Sequence, residues 1–218
     1  MSSMRSLRHL IFILIGTLFL FASCTTEVTL TLQKDDSVDI SFEGGAGAAF
    51  AKMISSAVNV NGLSGSTGAT DSSLLIDTDS VSFELAKAGF SNVKVSQKKD
   101  GAVSISMSDK NQTSYLFTSK IIKAANGRLT TAITRKSLED FYTAADEQTR
   151  MILDLFLAPV FNDEEMSEEE YLEMVGAFYG DAAADEVHQS VVKINLISKD
   201  GSKETVKLPL SQLMCGNL

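Results

Sequence analysis

Apolar residues recur at every second position in several short runs that face one another across polar turns. Val28, Leu30 and Leu32 are followed by Lys34-Asp35-Asp36 and then by Val38, Ile40 and Phe42. Period two on both sides of a turn gathers the apolar side chains of each run on one face, which predicts a β-hairpin with a buried and a wet side. Val93 and Val95 relate in the same way to Val103, Ile105 and Met107 across Lys99-Asp100-Gly101, and Val191 to Ile197 to Lys203 to Leu210 across Lys199-Asp200-Gly201. Another hairpin is expected from Tyr115 to Ile122 and Leu129 to Thr134 about Asn126-Gly127, a dipeptide that supplies the positive φ of a tight turn. The three lysine-bearing turns share turn chemistry, but their flanks do not match well enough to define a repeat.

Between the hairpins the period changes. Ala46 to Val58 is alanine-rich and reads as a helix, and Asn59 to Ser73, with Gly62, Gly65 and Gly68, reads as a loop. Asp79 to Gly89 has the acidic start and glycine stop of a short helix. From Ser137 the pattern is helical through Leu138, Phe141 and Tyr142, then through Met151 to Ala158, which Pro159 ends. Ser167-Glu168-Glu169-Glu170 forms a capping box, followed by Tyr171, Met174, Val175 and Phe178 on one face and stopped by Gly180. The expected class is therefore α+β, an antiparallel sheet built from β-hairpins with helices segregated between them, and not a doubly wound parallel sheet.

Charge divides the chain. From Ser137 to Glu186 there are fifteen acids against Arg150 alone, although the whole chain carries a net charge of only −9. That stretch, 137–186, is expected to form an acidic helical lobe of a single domain spanning 24–218. A basic footprint of the kind nucleic acid requires is missing, so no nucleic-acid partner is expected. Asp163, Glu164, Glu165, Glu168, Glu169 and Glu173 form the densest part of the lobe and are the candidate interaction surface. Anionic lipid repels such a stretch, which is expected to face away from a bilayer.

The N-terminus has the order of a secretory signal. Arg5 and Arg8 precede the apolar run Leu10 to Phe21, about a dozen residues, where about 20 are needed to span a bilayer. Phe21-Ala22-Ser23-Cys24 follows, and it resembles the lipobox of bacterial lipoproteins, in the relaxed form found in spirochaetes, with Phe21 where the family usually has Leu. The resemblance implies that 1–23 is a signal peptide cut before Cys24, that the Cys24 thiol carries a diacylglycerol, and that the protein is anchored to a membrane of the bacterial cell envelope. Two or three acyl chains make such attachment stable. With Cys24 lipidated, Cys215 has no partner for a disulfide and is expected to be buried as a small hydrophobe.

Gly45-Ala46-Gly47 begins like a dinucleotide loop, but Phe50 stands where close packing needs Gly or Ala, so no cofactor is expected. The acids at 163–173 lack the spacing of a calcium loop, and no metal is expected; acids in a first helical turn complement the macrodipole. Outside the signal His188 is the single histidine, and a Cys215–His188 pair has no local signature of a nucleophile. The chain is therefore expected to act by binding or scaffolding and not by catalysis, with the membrane and an envelope protein as partners. Two other readings stand beside this one. The first is a carrier or sensor of apolar ligands in a cup between sheet and helices, since Cys24 and the hairpin and helix after it loosely resemble LppM-like envelope lipoproteins. The second is a carboxylate-based hydrolase using acids such as Asp77 and Asp79.

Overall fold

The computed structural model describes residues 26–45, 47–49, 51–52, 77–99, 101–144, 150, 154 and 166–215. The signal segment, Cys24, the latter half of the Ala46–Val58 helix, the loop from Asn59 to Ser73, and Met151 to Phe161 apart from Asp154 lie outside the described residues.

The first hairpin forms as its alternation predicts. Strands β1 (Thr26–Leu32) and β2 (Val38–Gly44) pair antiparallel, with Val28 opposite Phe42 and Leu30 opposite Ile40. Helix α1 (Thr78–Lys87) starts slightly before the expected Asp79, because Asp77 is the cap and accepts from Ser80 N at 3.0 Å. Strands β3 (Ser91–Gln97) and β4 (Val103–Asp109) form the second hairpin, and β4 docks antiparallel on β2.

The third hairpin is shorter than expected. Tyr115–Thr118 is a single helical turn, α2, and only β5 (Ile122–Ala125) and β6 (Arg128–Thr131) pair, as a separate two-stranded sheet. The buried Asp109 carboxylate causes the difference, because it accepts from the amides of Asn111, Thr113 and Ser114 and winds the chain into a turn before a strand can start. Asn126 and Gly127 take φ of 53° and 76°, as the tight turn requires.

After α3 (Arg135–Ala144), helix α4 (Glu168–Tyr179) begins at the Ser167 capping box. Gly180, at φ 90°, reverses the chain into α5 (Asp181–Gln189), a helix the sequence reading did not anticipate. Strands β7 (Val191–Ile197) and β8 (Lys203–Pro209) make the last hairpin, and Leu210, expected in the strand, instead opens α6 (Leu210–Met214). Pro209 has no amide to give a further ladder bond, so the strand stops there.

The six long strands lie in the order β3-β4-β2-β1-β7-β8. The chain is α+β, but its main sheet is mixed: β1 and β7 run parallel, with Val28 beside Ile194 and Leu30 beside Leu196. Alternation within a strand is the same whichever way its neighbour runs, so an all-antiparallel sheet was the wrong extrapolation from correctly read hairpins. Val28, Leu30, Ile40, Phe42, Ile105, Met107, Ile194 and Leu196 form the buried face, and one core joins them to Leu85, Leu138, Tyr171, Val175, Ala183, Val187, Leu213 and Met214 from the helices. Cys215 is buried beside them, its Sγ 3.6 Å from Gln212 O.

Candidate functional site

Helices α4 and α5 form an antiparallel hairpin whose outer side is an acidic groove. Its start is fixed by the capping box: Glu170 N donates to Ser167 Oγ at 3.2 Å, and Ser167 N donates back to Glu170 Oε2 at 2.9 Å. Those bonds, the backbone one foremost, hold the Glu170 carboxyl below its ordinary range. With Glu170 so occupied, Glu168 and Glu169 of the same turn project into the groove, joined by Glu173 one turn on.

The groove encloses about 810 Å³ and is lined by Glu168, Glu169, Glu173, Asp181, Asp185 and His188, over a floor of Leu172, Gly176, Ala177 and Ala184. Small floor residues let the two helices approach closely: a Cβ on Gly176 would lie 3.7 Å from that of Ala184. Among the described residues five carboxylates face one base, His188, whose Nδ1 is 3.5 Å from Glu168 Oε1. The same Glu168 oxygen accepts from Ser211 Oγ at 2.6 Å. The acids are spread along the helices, and among the described residues no three His, Cys, Asp or Glu side chains converge to hold a metal. Chemically the arrangement is a strip of negative charge suited to cationic groups.

Of the sequence-predicted surface, Glu168, Glu169 and Glu173 line the groove, whereas Asp163, Glu164, Glu165 and the lipidation residue Cys24 lie outside the described residues. Asp181, Asp185 and His188 were missed as its opposite wall. The signal was present in Ala183 and Val187, one turn apart and both buried, after the first-turn acid Asp181.

The glycine loop and the acids at the start of α1 have local structural roles. Glu186 folds back over Gly47, where a Cβ would collide with its carboxylate, and Glu186 Oε1 accepts from Ala49 N at 3.0 Å. Next to the glycines the chain thus meets a carboxylate of its own. Asp77 and Asp79 are exposed at the start of α1, one as its cap and the other in its first turn.

A second, smaller cavity of about 330 Å³ lies on the wet face of the sheet, among Thr29, Thr31, Asp39, Ser41, Ser106 and Ser108. Asp39 is already bonded there, to Ser108 Oγ at 2.6 Å and Gln33 Nε2 at 2.7 Å. No helix among the described residues is long and apolar enough to cross a membrane. No family model, curated protein or solved structure matches the chain.

Proposed function

We propose that the chain is a lipid-anchored protein of the bacterial cell envelope that acts by binding a cationic surface of another envelope protein in the groove between α4 and α5. In this reading the helices are a group segregated between the hairpins, 137–186 is its acidic lobe, and Cys24 supplies the anchor. One observation carries the binding site: among the described residues, five carboxylates on two helices line a single open groove in which His188 is the only basic wall residue. Exposed carboxylates at this density create a negative potential that attracts and orients a basic partner and is screened by salt.

A lysine-rich peptide is the probe. Its affinity for the purified mature chain should fall at least tenfold between low and high ionic strength and be lost in the Glu169→Lys, Glu173→Lys, Asp185→Lys variant. Affinity indifferent to both changes overturns the groove as a binding site. The anchor is tested separately by mass analysis of the N-terminal peptide from native membranes, where an unmodified Cys24 overturns it.

Acidic walls distinguish this groove from an apolar-ligand cup, since a lipid tail finds no gain in contact with carboxylates.

A further inference from the structure

Which end of the domain meets the membrane follows from where the chain leaves the sheet. Thr26 begins β1, and β1 is an interior strand with β2, β4 and β3 on one side and β7 and β8 on the other. Parallel pairing sets Thr26 beside Val192, so β7 starts at the same end; antiparallel pairing sets the end of β8 there, with Val191 opposite Pro209. By the same registers, Glu27 faces Glu43 near the end of β2, and Gly44 faces Val103 at the start of β4. This one end therefore also carries the β3–β4 turn with Lys98 and Lys99, the last turn of α5 and the start of α6, where Leu210 N donates to Ser190 O at 2.9 Å.

A lipid on Cys24 is two residue steps from Thr26, with Thr25 between, a reach of about 7 Å at full extension. Seven-residue strands rise about 23 Å, so the opposite end, with the β1–β2 and β7–β8 turns, lies well beyond that reach. We infer that the lipid surface is the occupant of the Thr26 end of the sheet: the domain stands with its strands rising from the bilayer, the β3–β4 turn against the headgroups and the Lys34 and Lys199 turns outermost. This inference rests on the anchor proposed above. It also brings Glu168 and His188, which lie beside Ser211 at the near end of the acidic groove, toward the headgroups, in place of the expectation that the whole acidic stretch faces away from the bilayer.

Two equivalent positions test it. Lys34 and Lys99 are both exposed second residues of the same kind of hairpin turn, at opposite ends of the sheet. The lipidated full chain carrying Lys34→Cys or Lys99→Cys, labelled with an environment-sensitive fluorophore, is reconstituted in phosphatidylcholine vesicles doped with headgroup-nitroxide lipid; the unsubstituted chain, with its buried Cys215, is the labelling control. Quenching at position 99 should exceed that at position 34 at least threefold. Equal or reversed quenching in vesicle-bound protein overturns the upright orientation while leaving the anchor intact. Vesicle binding that survives Cys24→Ala overturns the anchor, and the orientation with it.

Discussion

Ser211 gives its buried hydroxyl to Glu168 Oε1 at 2.6 Å, which ties the first turn of α4 to the short helix α6 at the C-terminal side of the last hairpin. Two elements more than forty residues apart in the chain are thereby fixed beside His188. A hydrogen bond to a charged group is worth about 1.5–3 kcal/mol when both groups are enclosed. The Glu168 side chain is about one-third exposed and recovers water when its partner is removed, so the loss falls below that range. Ser211→Ala should destabilise by about 1 kcal/mol, seen as a lower urea midpoint at unchanged m-value. A midpoint equal to the parent's would mean that the bond contributes nothing.

Glu186 and Gly47 test whether the glycine loop is shaped for an internal carboxylate. In Gly47→Ala the new methyl collides with the Glu186 carboxylate, which must swing away and lose its bond to Ala49 N. The far end of a glutamate moves readily, so the cost is that of the bond and local strain, about 1–2 kcal/mol. In a Glu186→Ala background that carboxylate is gone. The same substitution should then cost at least about 0.5 kcal/mol less in a double-mutant cycle, and strictly additive losses would count against the contact.

Acid should loosen the fold through its turns and caps. Asp35 accepts from Ser37 Oγ at 2.6 Å and from its amide at 3.1 Å, and Asp200 accepts from Ser202 Oγ at 2.6 Å and its amide at 2.9 Å. In each, the serine hydroxyl first and the amide second hold the carboxyl below its ordinary value of 3.8, and Glu170 is likewise held below 4.5. A folded-state value below the unfolded one means the stabilisation is complete above the unfolded value and is lost as pH falls through the folded one. Thermal midpoints should therefore hold from neutrality to about pH 5 and decline below about pH 4. The decline should be shallower in Asp35→Asn, Asp200→Asn protein, and identical slopes would dissociate these turns from acid unfolding.

Those two turns also show how far the sequence could be read. Gln33 N bonds Ser37 O, Lys98 N bonds Ala102 O and Ser198 N bonds Ser202 O, and the fourth residue of each, Asp36, Gly101 or Gly201, has φ of 67°, 85° or 81°. Three lysine-bearing turns thus share one closing bond and one left-handed fourth residue, so the recurrence was turn chemistry as the spacing implied. Hairpins and the capping box were legible because their signals are local. The order of hairpins in the sheet was not, since Lys199 Nζ reaching Asp36 at 2.6 Å and β7 lying parallel to β1 depend on contacts far apart in the chain. Half of the acidic groove was legible for the same reason: Glu168 to Glu173 sit behind a recognisable cap, whereas Asp181 and Asp185 follow a glycine that reads as an end.

Asn195 shows a last non-local relationship, and its substitution separates polar satisfaction from simple packing. It is buried in the middle of the sheet, donating to Glu27 Oε1 at 2.5 Å and Thr29 Oγ1 at 3.2 Å and accepting from Thr205 Oγ1 at 2.9 Å. Lys193, at 2.9 Å, and Asn195 together hold the Glu27 carboxyl below its ordinary value of 4.5. Asn195→Ala removes the donors but leaves Glu27 its lysine, so a loss of about 1–2 kcal/mol is expected at neutral pH. Asn195→Asp keeps the shape and replaces a donor with a second carboxylate against Glu27, which should cost more at pH 7 than the alanine does. Like charges that close raise one another's pKa in the folded state, so this variant should gain stability as pH falls from 7 toward 5, where the parent gains none. Urea midpoints across that interval decide the matter: a variant that tracks the parent's pH profile would show that Glu27 and position 195 do not share a proton-sensitive contact.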